Sequence, residues 1–301
     1  MYLLIKKSLG LIILIAVVLS CNNSDINQSS NLKDTIMENT IVEKHIQKVD
    51  EITGPAGKIY IEQNGNSGRP ILFLHSFGGS TAHWKNQMQH LQTKTIALDL
   101  RGYGKSYAPA DNDYAIESMV KDVEVVVDSL QLDKFILVGH SMGGSVAIEY
   151  AGKYPDKIAG LLLTGTPGKM PAEQAKLIIA SLEIDNYKMV MDDYMKKLLT
   201  NANPETIKME TEGMNKLGKE KSVSIIKENF AYDPLHALKK YTGPKLIVDI
   251  AGMEDQPGSL PNAFPDVPYK TVSGTSHWIQ LDKPEEFNKI VDEFLKVMEK
   301  K

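Results

Sequence analysis

Phe135-Ile136-Leu137-Val138-Gly139-His140-Ser141-Met142-Gly143 is the stretch that decides the fold of this chain. Four apolar residues in a row, closed by a glycine, read as a strand covered on both faces. From Val146 to Lys153 the pattern turns helical. Between the two stands G-x-S-x-G, a motif that requires strand, sharp turn and helix in that order. Such a turn forces the serine into strained backbone geometry, and bulky flanking side chains would clash; hence Gly139 and Gly143. The turn lifts the Ser141 hydroxyl above the sheet edge and leaves the Met142 N–H free at the helix start.

Working outward, Ile71–Leu74, Thr95–Leu98, Leu161–Leu163 and Leu246–Val248 are further continuous apolar runs. Residues 45–63 read as two antiparallel strands joined at Gly54-Pro55-Ala56-Gly57. Met119, Val123, Val126, Val127 and Leu130 mark one face of a helix, and Phe287, Ile290, Val291, Phe294 and Val297 mark another after Pro284. Strands alternating with helices predict a mostly parallel sheet covered on both faces. Between Pro167 and Gly243 the alternation stops. Residues 168–242 read as a helical lid insertion rich in methionine: Met170, Met189, Met191, Met195, Met209 and Met214. Methionine suits adaptable apolar pockets. For any one of these residues, packing the insertion's own core is the plainer role.

Three loops carry the chemistry. A serine hydroxyl is a poor nucleophile at neutral pH and needs a base that titrates near 7, for which histidine is suited. His277, in Gly274-Thr275-Ser276-His277-Trp278, sits on a loop after a late strand and before the last helix. His45, His83, His90 and His236 have no such context, His140 flanks the nucleophile with its side chain expected to point away, and His75 belongs to another loop. That loop, His75-Ser76-Phe77-Gly78-Gly79, directly follows the strand Ile71–Leu74. A tetrahedral intermediate of acyl transfer needs two donors for its oxyanion. The N–H groups of Phe77 and Met142 are the candidates, and His75 braces the loop.

With these residues in view, the chain resembles the α/β-hydrolase family, in its esterase, haloperoxidase-like and C–C hydrolase group. The resemblance covers roughly residues 55–165 and 243–298. It rests on His75 to Gly79, Asp99-Leu100-Arg101-Gly102-Tyr103-Gly104-Lys105-Ser106, Gly139 to Gly144, and His277 with Pro284-Glu285-Glu286-Phe287. It implies an eight-stranded, mostly parallel sheet flanked by helices, with the insertion at 168–242 matching in placement only. The family's order of nucleophile, acid and base implies an acid just after the strand Leu246–Ile250, in a G-x-x-D pattern. Gly252-Met253-Glu254-Asp255 supplies Asp255, with Glu254 and Asp249 as rivals. The family usually carries glycine where this chain has Ser76. Asp99 and Arg101 are implied to brace a loop. Haloalkane dehalogenases and epoxide hydrolases of this fold use an aspartate as nucleophile, so a serine at that place implies acyl chemistry.

The resemblance therefore implies a serine hydrolase acting on a small-molecule carboxylic ester, with Ser141, Asp255 and His277 as triad and no metal or organic cofactor. C–C bond hydrolysis or perhydrolysis by the same triad is the alternative within enzymes. A low-turnover ligand-binding protein is the alternative from another class.

Composition sets the remaining bounds. The formal net charge is −4, with no basic run outside the extreme N-terminus, which speaks against nucleic-acid binding. Lys6 and Lys7 precede an apolar run from Leu9 to Leu19, so residues 1–20 read as a signal peptide. Val18-Leu19-Ser20-Cys21 resembles a bacterial lipobox, and Cys21 is the sole cysteine. Residues 21–42 are polar and rich in Asn and Ser, too poor in apolar surface to order themselves, and read as a flexible tether. The catalytic domain is expected over 43–301, held at the bacterial cell envelope by a lipid on Cys21.

Overall fold

A computed structural model of the chain describes residues 48–65, 67–183, 187–254, 256 and 258–299. The signal, lipobox and tether expectations lie outside these residues. The described residues belong to one compact unit, His45–Lys301, and none of their helices is long and apolar enough to cross a membrane.

The chain opens with a hairpin of β1 (Lys48–Gly54) and β2 (Gly57–Asn64), closed where Gly54 faces Gly57. There follow β3 (Ile71–Leu74), α1 (Lys85–His90), β4 (Thr95–Leu98), α2 (Ile116–Ser129), β5 (Phe135–His140), α3 (Met142–Lys153) and β6 (Ile158–Thr164). Five helices interrupt the alternation: α4 (Ala172–Glu183), α5 (Tyr187–Leu198), α6 (Pro204–Leu217), α7 (Lys219–Ala231) and α8 (Pro234–Lys240). The alternation resumes with β7 (Lys245–Ile250), α9 (Leu260–Ala263), β8 (Tyr269–Val272), α10 (Ile279–Asp282) and α11 (Pro284–Glu299). The eight strands form one sheet in the order β1-β2-β4-β3-β5-β6-β7-β8. The two pairings that involve β2 are antiparallel and the rest are parallel.

The continuous apolar runs follow from having two cores. Successive strand residues point to opposite faces. Leu72, Leu74, Leu137, Leu161 and Leu163 pack on one face with Met119, Val123 and Val146. Phe73, Ile136, Val138, Leu162 and Val248 pack on the other with Trp84, Phe287, Val291 and Phe294. Helix α3 begins at Met142, earlier than the apolar periodicity suggests. Its first turn is Met142-Gly143-Gly144-Ser145, which has little apolar side chain to mark it. β8 is an edge strand with only Val272 buried, so it gives almost no pattern.

The stretch after β4 is built as a brace. Arg101 is buried; its Nε and Nη2 donate to the Asp122 carboxylate at 2.6 and 2.8 Å, and Nη2 donates to the Ser118 carbonyl at 2.7 Å. The Asp99 carboxylate accepts the N–H groups of Thr81 and Lys105 at 2.7 and 2.8 Å. Neither residue is left free for a ligand. Removing one member of a buried ion pair strands the other, at about 3–5 kcal/mol. Arg101→Ala should therefore lower the urea midpoint by that equivalent, and adding Asp122→Leu should restore part of it. An Arg101→Ala protein as stable as the parent would show that the brace carries no stability.

Candidate active site

β5 ends at His140 and α3 starts at Met142, so the whole turn is Ser141, held at φ 52° and ψ −119°. Positive φ is rare for a residue with a Cβ. The turn is kept by its surroundings. Ser141 N–H donates to the Thr164 carbonyl at 2.9 Å, and the Ser141 carbonyl accepts from Gly144 at 2.8 Å and Ser145 at 3.2 Å. A Cβ on Gly143 would lie 2.4 and 2.5 Å from the carbonyl oxygens of His75 and Leu74, and one on Gly139 would lie 2.5 Å from the Gly143 carbonyl. The first turn of α3 thus stands directly on the end of β3. Met142 N–H belongs to that first turn, where the helix offers it no partner.

β3 and β5 are neighbours, with Leu74 opposite Gly139, so the loop at His75–Gly79 leaves the sheet beside the elbow. His75 is buried and bridges two loops: its Nδ1 donates to the Ser76 carbonyl at 2.7 Å, and its Nε2 accepts the Leu100 N–H at 2.9 Å. Burial pushes its pKa down to about 3, so it stays neutral. Ser76, at the family's glycine position, is also accounted for. Its Oγ accepts the indole N–H of the buried Trp278 at 3.2 Å, which ties this loop to the one carrying His277.

His277 follows β8 and is half-buried over the end of β6; a Cβ on Gly165 would lie 2.9 Å from its Cε1. β6 is the neighbour of β5, with His140 opposite Thr164, so Ser141 and His277 come to adjacent strand ends. Burial lowers the His277 pKa to about 4. Its carbonyl accepts from Nε2 of His140 at 3.0 Å, and Nδ1 of His140 accepts from Gln280 at 3.0 Å. His140 therefore does not turn away from the site. It braces His277, buried and with its pKa held well below the usual histidine range by burial. Asp282 completes the loop. One of its oxygens accepts from Ser276 N–H at 2.8 Å, from Ser276 Oγ and from Thr275 Oγ1, while the other accepts the Asn203 N–H at 3.0 Å.

Asp255 lies outside the described residues. Both of its rivals are engaged locally. Asp249 Oδ1 accepts the Ile250 N–H at 2.8 Å, and burial raises the Asp249 carboxyl to about 7. Glu254 Oε2 accepts the Gly252 N–H at 2.8 Å, and backbone hydrogen bonds hold its pKa below the usual carboxylate range. Among the described residues no cluster of three or more His, Cys, Asp or Glu side chains is arranged to hold a metal ion.

The insertion reaches this site at two places. His277 N–H donates to the Leu198 carbonyl at the end of α5, at 3.0 Å, and α6 lies on the Gly78 backbone. Its methionines serve different ends. Met191 packs with Leu182 and Ile226, Met214 meets Gly78, and Met189 is exposed. Sequence reasoning missed the roles of His140 and Trp278, whose partners lie far away along the chain, and of Asp282, which joins its near neighbours Thr275 and Ser276 to the distant Asn203.

An α/β-hydrolase fold family model matches residues 69–198. Epoxide hydrolase 4 of Mus musculus is 36% identical over 107 residues, which is 34% of this chain and 30% of that protein. The 2-hydroxy-6-oxononadienedioate/2-hydroxy-6-oxononatrienedioate hydrolase of Burkholderia vietnamiensis is 24% identical over 298 residues, covering 88% of this chain and all of that one. Among solved structures, an N-acyl homoserine lactone degrading enzyme superposes with a TM-score of 0.69 at 25% identity, covering 81% of this chain and 100% of its own. With its sheet order and its strand–serine–helix elbow, the chain has the α/β-hydrolase fold. The proteins it resembles here are hydrolases and a lactone-degrading enzyme by name.

Asp249 offers a stability test. Its folded pKa of about 7 stands above the ordinary value of 3.8, so the folded state favours the neutral carboxyl. The stability this confers is fully present below 3.8 and is lost as pH rises through 7. Asp249→Asn keeps the neutral form at every pH. It should melt higher than the parent at pH 9, with the gain vanishing near pH 4. An equal gain at both would refute the assignment.

Proposed function

We propose that the chain is a serine hydrolase that cleaves a small-molecule carboxylic ester through an acyl-enzyme. The carrying observation is Ser141: a serine at φ 52° on the elbow between β5 and α3, with a half-buried, neutral His277 at the end of the adjacent strand. His277 takes the Ser141 proton as Oγ attacks the ester carbonyl. The N–H groups of Phe77 and Met142 hold the oxyanion. His277 then passes the proton to the leaving alcohol, and water, activated by the same imidazole, releases the acid. Asp255 orients His277 and steadies its charged form. The insertion over 168–242 acts as the lid that selects substrate. Cys21 carries a lipid that holds the enzyme to the bacterial cell envelope, a reading supported by the lipobox-like stretch alone.

Serine at this position favours acyl chemistry over the epoxide opening named in the mouse relative. The match to the Burkholderia vietnamiensis dienedioate/trienedioate hydrolase, over 88% of this chain, supports a second reading, in which the same triad cleaves a carbon–carbon bond.

Wild type should hydrolyse a short p-nitrophenyl ester and take up a fluorophosphonate probe stoichiometrically. Ser141→Ala should lower kcat by about 10⁴-fold or more and abolish labelling. Retained turnover in that variant would overturn the assignment, and a wild type that never labels would favour a binding protein.

The acid can be tested by pH. The imidazole works in its neutral form, so activity falls as pH drops through its pKa. A carboxylate at the ring favours the charged form and raises that pKa; burial alone sets it at about 4. Asp255→Asn should cut kcat by about 10²–10⁴-fold and move the acid limb of kcat/KM down towards 4. The same change produced by Glu254→Gln or Asp249→Asn, with Asp255→Asn silent, would reassign the acid.

A further inference from the structure

The mechanism leaves one buried carboxylate unused. Glu210 lies on α6 and is fully buried, with its Oε1 3.0 Å from Nε2 of the equally buried His83. Neither of its oxygens has a well-formed hydrogen bond, and Oε2 faces no protein donor among the described residues. The neighbourhood is the oxyanion loop. Helix α6 lies so close that a Cβ on Gly213 would stand 2.1 Å from the Gly78 carbonyl. A Cβ on Gly78 would lie 3.0 Å from Met214 Sδ and 3.6 Å from Glu210 Oε2. Glu210 thus sits against the residue after Phe77, whose N–H is the proposed oxyanion donor. On the same loop and helix, Phe77 and Met214 pack against the apolar cluster of Leu182, Met191 and Ile226.

A carboxylate in such a place is costly. Burying a charge without its full set of donors costs several kcal/mol, and a buried ion pair is commonly no better for stability than well-packed apolar residues. Holding α6 to the loop would be done as well by a leucine. An unfilled acceptor beside a reaction centre has a use that leucine cannot supply. It can take a donor from the substrate, and a buried acceptor left unpaired penalises any substrate that lacks one.

We propose that Glu210 is a specificity-determining residue whose carboxylate receives a hydroxyl or ammonium group on the acyl part of the substrate, close to the scissile carbonyl. His83 lies beside one oxygen, Oε1, and leaves the other, Oε2, for the ligand. The proposal rests on the serine-hydrolase reading above. The preferred substrates are then esters of hydroxy or amino acids rather than of plain fatty acids.

The test uses phenyl esters of butyric, β-hydroxybutyric and β-aminobutyric acids with the full chain. Wild type should favour one or both donor-bearing esters over the butyrate by at least about tenfold in kcat/KM. A hydroxyl ligand predicts preference for the hydroxy ester, and an ammonium predicts preference for the amino ester. Glu210→Leu should collapse the ratio of donor-bearing to plain ester at least tenfold, through KM. Glu210→Gln, nearly isosteric, should keep a hydroxyl preference in part and lose an ammonium preference. Thermal melts of both variants control for folding, and the glutamine variant carries the test if the leucine one does not fold. Wild-type activity on all three esters without preference, or equal loss on all three in the variants, overturns the proposal alone. A wild type inactive on all three and unlabelled by fluorophosphonate overturns the hydrolase reading and this proposal with it.

Discussion

The first turn of α3 stands on the carbonyl end of β3 with no room for a Cβ at Gly143, and the rest of the site depends on that contact. It fixes how far the helix start lies from the loop His75–Gly79, and so how far apart the Met142 and Phe77 N–H groups are. It also obliges the chain to turn within one residue, which puts Ser141 at φ 52°. A non-glycine residue there costs on the order of 1–3 kcal/mol, tolerated only where the surroundings over-determine it. Three hydrogen bonds to the Ser141 backbone and the close packing at Gly139, Gly143 and Gly144 supply that determination. A side chain at any of these glycines would push α3 off the sheet and carry the helix start with it.

From this elbow, order spreads to the other loops through polar contacts between buried groups. Trp278 reaches Ser76, His140 reaches the His277 carbonyl, and Gln280 reaches His140. The two histidines beside the catalytic candidates are kept neutral by burial, so both can use one ring nitrogen as donor and the other as acceptor. A charged imidazole in either place would have two donors and would break one of these contacts. The loop bearing His277 is therefore positioned mainly by buried polar contacts.

What could be read from the sequence divides along these lines. The elbow was legible because its requirements are local: an apolar run, two glycines and a helix within about a dozen residues. The central strands were legible because burial on both faces leaves an unbroken apolar run. β8 was nearly invisible, since an edge strand with a single buried residue has no such run. Helix α3 was read late because its first turn is mostly small residues. The roles of His140, Trp278 and Asp282 could not be read at all. Trp278 and His140 bond to groups 202 and 137 positions away, and Asp282, besides its near neighbours Thr275 and Ser276, to Asn203, 79 positions away. His83 and Glu210 belong to the same class: two unremarkable positions that become a buried pair once α6 folds over the loop.

This division bears on how such a protein changes its substrate. The helices α4–α7 pack around their own small cluster, Leu182, Met191 and Ile226, while α8 buries Ala237 and Leu238 in the main core, and much of the insertion's surface is polar or exposed. Residues in that cluster are free to vary in size as long as it stays filled. The attachments are not free. The Leu198 carbonyl holds the His277 N–H, and the Asn203 N–H and side chain meet Asp282 and the Leu281 carbonyl on the same loop. A shift of the α5–α6 junction would be felt at His277 through these bonds, and a shift of α6 would be felt at Gly78. Variation in the insertion is thus channelled into side chains facing its interior, while its backbone stays pinned at both loops beside Ser141. The insertion's own cluster is thus built from apolar side chains, and its attachments to the two loops from hydrogen bonds and close backbone approach.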